Sequence, residues 1–271
     1  YFYYRHIRGW APAGSPRAAL VFGGAWHAAM DSLWSNISKG IKDKDQLEED
    51  AYGAFVQHWT EEGLPDPRNL SYEEQKGMLP RTPMVGMEMI LSYLEKRVNL
   101  ISTCEVMDIE RPFIVPLTPD DPTLFYVGRI DKVMRYQGRI YGIEHKTTTA
   151  YKVDGHFRST FLESFSPNSQ VDGYLYTLHM SFPDDKIGGV WVDAALVHKE
   201  DHEGFQFIPI DRQMPMLDSW LYDVNDWIER IEADKAKLER VKGSDPYMAA
   251  FPKNTNSCFD FNQSCIYLYL C

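Results

Sequence analysis

The stretch GRIDKVMRYQGRIYGIEHKTT, residues 128–148, is the part of the chain that decides the fold. Both of its halves are rich in β-branched and aromatic residues, and the turn-forming pair Gln137-Gly138 separates them. This pattern predicts an antiparallel β-hairpin, with one strand over 124–135 and the next over 139–146. The register of this hairpin then decides which polar side chains meet.

A two-residue loop brings charged residues of the hairpin together. It places Asp131 directly opposite Glu144, and Arg129 opposite Lys146. Opposite side chains in an antiparallel pair share a face and stand about 5 Å apart. Lys146 shares the face of Glu144 because side chains alternate along a strand. A three-residue loop would turn Glu144 away from Asp131, so the convergence depends on the shorter loop.

Two adjacent carboxylates repel each other unless a cation lies between them. Mg²⁺ prefers oxygen ligands and is typically held by one or two carboxylates together with phosphate oxygens. Such an ion lowers the pKa of a bound water and polarises a phosphoryl oxygen. Asp131, Glu144 and Lys146 therefore suit phosphodiester hydrolysis. Taken alone, the same three residues also fit an exposed strand pair with a cross-strand salt bridge.

The stretch resembles the metal-binding core of the PD-(D/E)XK nuclease superfamily, in its RecB-like exonuclease branch. That branch has Gly-x-x-Asp, then a hairpin, then Glu/Asp-x-Lys-Thr. The matching residues here are Gly128, Asp131 and the run Glu144-His-Lys-Thr147. The resemblance implies an α/β fold with a restriction-endonuclease-like mixed β-sheet core flanked by helices in a single compact domain.

Two further elements match the same branch. Gln170 and Tyr174 resemble its Gln-x-x-x-Tyr motif on the helix after the core, and residues four apart project from one helix face. His27 resembles the first-motif histidine that completes the metal shell. In isolation each of these would be an ordinary helical side chain. The assignment depends on the order of all the motifs along the chain.

The resemblance implies a role for each matched residue. The implied metal ligands are His27, Asp131, Glu144 and the backbone carbonyl of His145. The implied catalytic residues are Asp131, Glu144 and Lys146, with Lys146 as the catalytic lysine and Mg²⁺ or Mn²⁺ as the cofactor. The implied DNA contacts are Gln170 and Tyr174, with Arg129 and Thr147 as weaker candidates.

The periodicity of the rest of the chain fits a mixed sheet covered by helices. It predicts helices over 25–37, 47–59, 83–98, 167–180 and 214–241, and strands over 99–108, 112–117, 188–199 and 204–210. Phe22-Gly23-Gly24 is expected to be a flexible start before the first helix, and Ser166 to be the N-cap before Pro167. We expect a helical part over 1–98, the catalytic sheet and motif helix over 99–212, and a C-terminal helix with a cysteine-rich tail over 213–271.

Composition excludes several classes of protein. The chain has 271 residues, of which 44% are hydrophobic, so it can build a large core. No apolar run approaches the roughly 18 residues of a membrane span, and the opening YFYYRHIRGW lacks the features of a signal peptide. The sequence starts without Met and ends on Cys, so we expect it to be a trimmed piece. The expected enzyme activity predicts a cytoplasmic protein. The net charge of −11 disfavours a protein that coats nucleic acid. Residues 129–158 are locally basic, however, with seven Lys or Arg against three acids.

The four cysteines are Cys104, Cys258, Cys265 and Cys271. We expect Cys104 to be a buried core thiol in a strand. The last three resemble the C-terminal cysteines that hold a [4Fe–4S] cluster in the AddB type of RecB-like nuclease and in the CRISPR-adaptation exonucleases. Such a cluster usually takes four thiolates, and the upstream cysteine of those proteins is not present in this chain. Zinc binding and three free thiols therefore stay open as alternatives.

The sequence favours a metal-dependent DNA exonuclease of the recombination or repair type, of bacterial or prophage origin. The expected partners are DNA, as a single strand or a duplex end, and a helicase or annealing protein. The alternative is a catalytically inactive DNA-binding or assembly module of the same fold. A sequence-specific endonuclease is a weaker option, because no appended reading domain is visible.

Overall fold

The computed structural model describes residues 2–11, 18–118, 123–151, 156–241, 249–259 and 264–270. Its contacts group into two units. One is Pro16–Trp220, and the other combines Tyr1–Ser15 with Leu221–Cys271. No helix within the described ranges is long and apolar enough to cross a membrane.

The elements alternate between helical and extended segments. The helices are α1 (Ala18–Ser38), α2 (Lys44–Glu61), α3 (Tyr72–Met78), α4 (Pro83–Thr103), α5 (Ser159–Glu163), α6 (Ser169–Ser181) and α7 (Met214–Arg240). The strands are β1 (Glu105–Pro116), β2 (Phe125–Tyr136), β3 (Arg139–Thr148), β4 (Ile187–Leu196) and β5 (Phe205–Ile210).

The five strands form one mixed sheet in the order β1-β2-β3-β4-β5. β3 and β4 are parallel, and every other neighbouring pair is antiparallel. The β2–β3 hairpin has the predicted two-residue loop, because Tyr136 pairs with Arg139. Gln137 and Gly138 both have positive φ, at 49° and 73°, as a tight two-residue hairpin turn requires.

Helices cover both faces of the sheet, which confirms the predicted fold class. α1, α2 and α4 share an apolar core with the end of β4, built from large side chains that include Trp26, Phe55 and Tyr93. α6 packs against β3 and β4. Side chains alternate along β3, so Glu144 faces α6 through Gln170, while His145 faces the opposite layer and contacts Asp193 there.

Two sequence predictions about element boundaries are wrong. Phe22-Gly23-Gly24 is not a flexible start but lies inside α1, where Gly24 leaves the space that His58 of α2 fills. The predicted strand 99–108 begins too early, because α4 continues to Thr103. Its β-branched residues favour a strand locally, yet the apolar face of α4 keeps packing on the core.

Two further boundaries differ from the prediction. The expected strands 112–117 and 99–108 merge into the single strand β1, which tolerates Pro112 because β1 is an edge strand and needs fewer ladder hydrogen bonds. α6 is capped by Asn168 rather than Ser166, since the Asn168 side chain accepts hydrogen bonds from the backbone N–H groups of Gln170 and Val171.

The second unit joins the two ends of the chain through aromatic contacts. Tyr4 lies between Trp10, at 5.4 Å between ring centroids, and Tyr267, at 5.3 Å. The Tyr267 hydroxyl donates to the backbone oxygen of Trp10 at 2.5 Å, and the Tyr4 hydroxyl donates to that of Leu270. The division into parts at 98 and 212 stays a prediction.

Candidate active site

The site forms where β2 and β3 separate. Their ladder ends with the pair Lys132 and Ile143, one residue before Asp131 and Glu144. Instead of continuing the ladder, Asp131 accepts a hydrogen bond through Oδ2 from the backbone N–H of His145 at 2.8 Å. The two carboxylates thus come from adjacent strands at the point where the sheet opens.

The expected pairing of Arg129 with Lys146 does not form, because the β2–β3 ladder ends before it reaches them. Arg129 pairs instead with Pro112 of β1, and its guanidinium binds Glu110 at 2.7 Å. The β1–β2 pair continues past the end of the β2–β3 ladder, which carries this part of β2 away from β3. A contact between Arg129 and DNA stays a prediction.

His27 of α1 is held next to Asp131, with Nδ1 3.3 Å from Oδ2. Burial lowers the pKa of His27, but the hydrogen bond and charge of Asp131, with the charge of Glu144, outweigh it and raise the pKa overall. Burial by itself would raise the pKa of Asp131, yet His27 and the backbone N–H of His145 hold that pKa below its usual value. The contact between His27 and Asp131 thus favours the protonated form of the imidazole and the ionised form of the carboxyl group.

Glu144 is almost fully buried, with 2% of its surface exposed. Burial raises its pKa, and the charge of Asp131 adds to the rise, while Lys146 opposes it. Oε1 of Glu144 is bound by the ammonium of Lys146 and by Nε2 of Gln170, the latter at 3.0 Å. Oε2 is buried and has no hydrogen-bond partner among the residues that the structure describes.

Gln170 and Tyr174 lie on one face of α6, as their spacing predicts, and that face meets Glu144. Nε2 of Gln170 donates both to Glu144 and to the Tyr174 hydroxyl, the latter at 2.9 Å. Burial, followed by the charge of Glu144, raises the pKa of Tyr174. The structure thus places the Gln-x-x-x-Tyr pair against the buried carboxylate of Glu144, and a direct contact with DNA stays a prediction.

The donor set of the site fits a hard divalent cation. It offers two carboxylates and an imidazole, and the unpartnered Glu144 Oε2 is a buried oxygen that a cation would satisfy. As placed, no three His, Cys, Asp or Glu side chains of the described residues form a metal-holding group. The reason is visible in the contacts, since His27 engages Asp131 and Lys146 engages Glu144. A bound cation would have to replace these two pairs.

Comparison with known proteins identifies the family. The family model of the PD-(D/E)XK nuclease superfamily matches residues 1–271. The chain belongs to this superfamily. A crystal structure of a candidate exonuclease from Eubacterium rectale is similar to this nuclease over 89% of this chain and 74% of the other, with 14% identity and a TM-score of 0.42. No curated protein matches the chain.

Sequence reasoning missed a buried polar cluster behind the active site of this nuclease. Asp193 of β4 lies 3.5 Å from Nδ1 of His145 and accepts a hydrogen bond from the Tyr93 hydroxyl at 2.6 Å. Arg97 of α4 forms an ion pair with the same carboxylate, which is fully buried. The sequence feature that could have indicated this cluster is Asp193 itself, an acidic residue inside the apolar run of β4.

Two more ionisable groups next to the site were also missed. Asp31 lies one helical turn after His27, and burial, together with the charges of Glu110 and Asp131, raises its pKa to about 7. Lys132 is fully buried with its ammonium 3.1 Å from the centre of the Trp34 ring, and burial lowers its pKa to about 7. Asp31 could have been predicted, because it follows His27 by four residues and so lies on the same helix face. Nothing in the local sequence indicates that Lys132 is buried.

Proposed function

We propose that this chain is a Mg²⁺- or Mn²⁺-dependent deoxyribonuclease that hydrolyses phosphodiester bonds from DNA ends. The observation that carries the proposal is the convergence of Asp131, Glu144 and Lys146 where β2 and β3 separate, with His27 alongside. Membership of a nuclease superfamily supports it. A catalytically inactive module is the weaker alternative, because the three residues proposed to be catalytic are all present and lie together.

Each residue of the site has a physical task in this proposal. When bound, the cation lowers the pKa of water and polarises a phosphoryl oxygen. His27, Asp131, Glu144 and the backbone carbonyl of His145 would hold it. Lys146 places an ammonium beside Glu144, where it can orient the attacking water and offset negative charge that grows on the phosphate. Gln170 fixes the orientation of the Glu144 carboxylate by hydrogen bonding.

Digestion of linear and closed circular DNA tests activity and mode of cleavage together. We expect linear DNA to be degraded with Mg²⁺ or Mn²⁺, EDTA to stop the reaction, and closed circles to survive. Equal cleavage of linear and circular DNA would contradict an exonuclease and show that the protein is an endonuclease. DNA binding without any cleavage would favour the inactive module.

The cysteine-rich tail is the basis of a second, separate cofactor proposal. Cys258 and Cys265 are close in the fold, because the N–H of Cys265 donates to the carbonyl of Cys258 at 2.8 Å. Cys271 lies outside the described residues. Cys104 is not in a strand but at the C-cap of α4, where it is only partly buried against the core. We propose a [4Fe–4S] cluster in the natural protein, which iron and sulfide analysis after anaerobic purification would test. A colourless, iron-free protein would argue against it.

The biological setting is proposed from the resemblance alone. We propose a recombination or repair nuclease of the RecB-like branch, cytoplasmic and of bacterial or prophage origin, that works with a helicase or annealing protein. Faster digestion of DNA after addition of an annealing protein would support such a partner. An unchanged rate with both partner types would argue against it.

A further inference from the structure

Arg81 is a cation close to the candidate active site, and no acidic side chain among the described residues forms an ion pair with it. It lies between α3 and α4, and its Nη2 donates to Thr149 Oγ1 at 3.1 Å. It belongs to no ion pair within the described part of the chain. Burial lowers its pKa, and no carboxylate contributes to that shift. A partly buried guanidinium in this state lacks the counter-charge that usually accompanies it.

Arg158 is a second arginine that binds the same short segment. It precedes α5, and its Nε donates to the carbonyl of Tyr151 at 3.0 Å. Its backbone N–H donates to the carbonyl of Ala150 at 3.1 Å. Arg158 is exposed and, like Arg81, has no ion-pair partner in the ranges that the structure covers. The two guanidinium groups thus donate hydrogen bonds to Thr149 and to the carbonyl of Tyr151, and each keeps further N–H groups for another acceptor.

Residues 149–151 directly follow the catalytic strand. Thr149 comes three residues after Lys146, and an extended chain covers at most about 3.6 Å per residue, so their Cα atoms are within about 11 Å. Phosphates along one strand of DNA are spaced about 3.4 Å along the helix axis. The distance from Lys146 to Thr149, the residue that Arg81 contacts, therefore corresponds to only a few phosphate spacings.

The chemistry of this segment matches the DNA backbone. A guanidinium binds a phosphate through two parallel N–H groups, and its five donors allow it to keep a protein contact as well. The whole chain carries a net charge of −11, so DNA has to be attracted by local cations. Arg81 and Arg158, which form no ion pair with any residue that the structure describes, supply such cations beside β3.

We propose that Arg81 and Arg158 form a clamp on the DNA backbone, each binding a phosphate that lies a few positions along the strand from the one being cleaved. The clamp rests on the proposed nuclease function and extends it by naming where the flanking strand is held. Arg81 and Arg158 act here as substrate-binding residues, and Thr149 and the carbonyl of Tyr151 position them.

The test is the salt dependence of DNA binding. Binding of a fluorescein-labelled single-stranded oligonucleotide is followed by anisotropy in EDTA, where no cleavage occurs, for the wild type, R81Q, R158Q, R81K and the double variant R81Q/R158Q. The matched control is R139Q, which removes an exposed arginine at the opposite end of β3. Circular dichroism checks that each variant is folded.

Loss of one phosphate contact reduces the slope of log binding constant against log salt by about 0.7 for a single strand. We expect R81Q and R158Q each to show this loss, the double variant to show about twice the loss, and R81K and R139Q to keep the wild-type slope. Wild-type slopes for R81Q and R158Q would overturn the clamp while leaving the nuclease intact, and R158Q alone decides if R81Q does not fold. A wild type that neither binds nor cleaves DNA would instead overturn the proposed function.

Discussion

Nδ1 of His27 lies 3.3 Å from Oδ2 of Asp131, which joins the first helix to the second strand across more than a hundred residues of sequence. This contact makes His27 part of the same acidic site as Glu144. We predict that H27A weakens Mn²⁺ binding by roughly tenfold, because the cation loses one ligand. Thermal unfolding with increasing Mn²⁺, in the absence of DNA, measures this change. The control H179A should show the same Mn²⁺-dependent rise in unfolding temperature as the wild type. An equal rise in H27A would argue that His27 is not a ligand.

Lys146 binds Glu144 on the same strand, so its ammonium stands at the carboxylate that would hold the cation. We predict that K146A lowers kcat for DNA hydrolysis by about a hundredfold or more, since it removes a charge that acts on the transition state. The fold should persist, because the Lys146 side chain is one-third exposed. The control is K186A, which removes an exposed lysine before β4. An unchanged kcat in K146A would refute the catalytic role.

Gln170 touches Glu144 directly, so its role can be separated from DNA binding. If it orients the carboxylate, Q170A should lower kcat by about tenfold with little change in KM. If it mainly contacts DNA, KM should rise while kcat stays. Steady-state kinetics on a short oligonucleotide distinguish the two, with Q206A of β5 as the control. The hydrogen bond favours the first outcome.

Asp31 predicts how stability changes with pH. Its folded-state pKa is raised to about 7, above the ordinary value near 4. The folded state therefore binds the proton of Asp31 more tightly than the unfolded state does. The resulting gain in folding stability is fully present below about pH 4 and is lost as the pH rises through about 7. We predict that D31N is more stable than the wild type at pH 8 by about 2 kcal/mol, after allowance for solvent screening. Urea unfolding at pH 5 and pH 8 measures it.

The control for this prediction is D45N, which removes an exposed carboxylate of α2. The advantage of D31N over the wild type should shrink as the pH is lowered, whereas D45N should not show this trend. An advantage of D31N that stays constant from pH 5 to pH 8 would contradict the assignment.

The hairpin and its motifs were predictable because their determinants are local. Gln137-Gly138 fixes the turn, and the turn fixes the register. The register brings Asp131 and Glu144 to the end of the ladder, one residue beyond its last pair, Lys132 and Ile143. The positions of Gln170 and Tyr174 on one helix face follow from their spacing alone. The contact of that face with Glu144 follows only from the packing of α6 on β3, which the spacing of the motif does not predict.

Other features could not be predicted because distant elements decide them. The two glycines at the start of α1 lower helix propensity, yet Gly24 is required by the close approach of His58. The end of α4 is set by packing that outweighs the strand preference of its residues. The cluster of Asp193, Arg97 and His145 depends on the pairing of β3 with β4, which no local pattern encodes.

Binding of Mn²⁺ in isothermal titration calorimetry without DNA tests most directly whether two carboxylates from neighbouring strands share one cation. The variants are D131N and E144Q, and the control is E163Q, an exposed carboxylate of α5. The account predicts one bound Mn²⁺ in the wild type and in E163Q, and a loss of at least tenfold in affinity for each site variant. Wild-type affinity in both D131N and E144Q would contradict it.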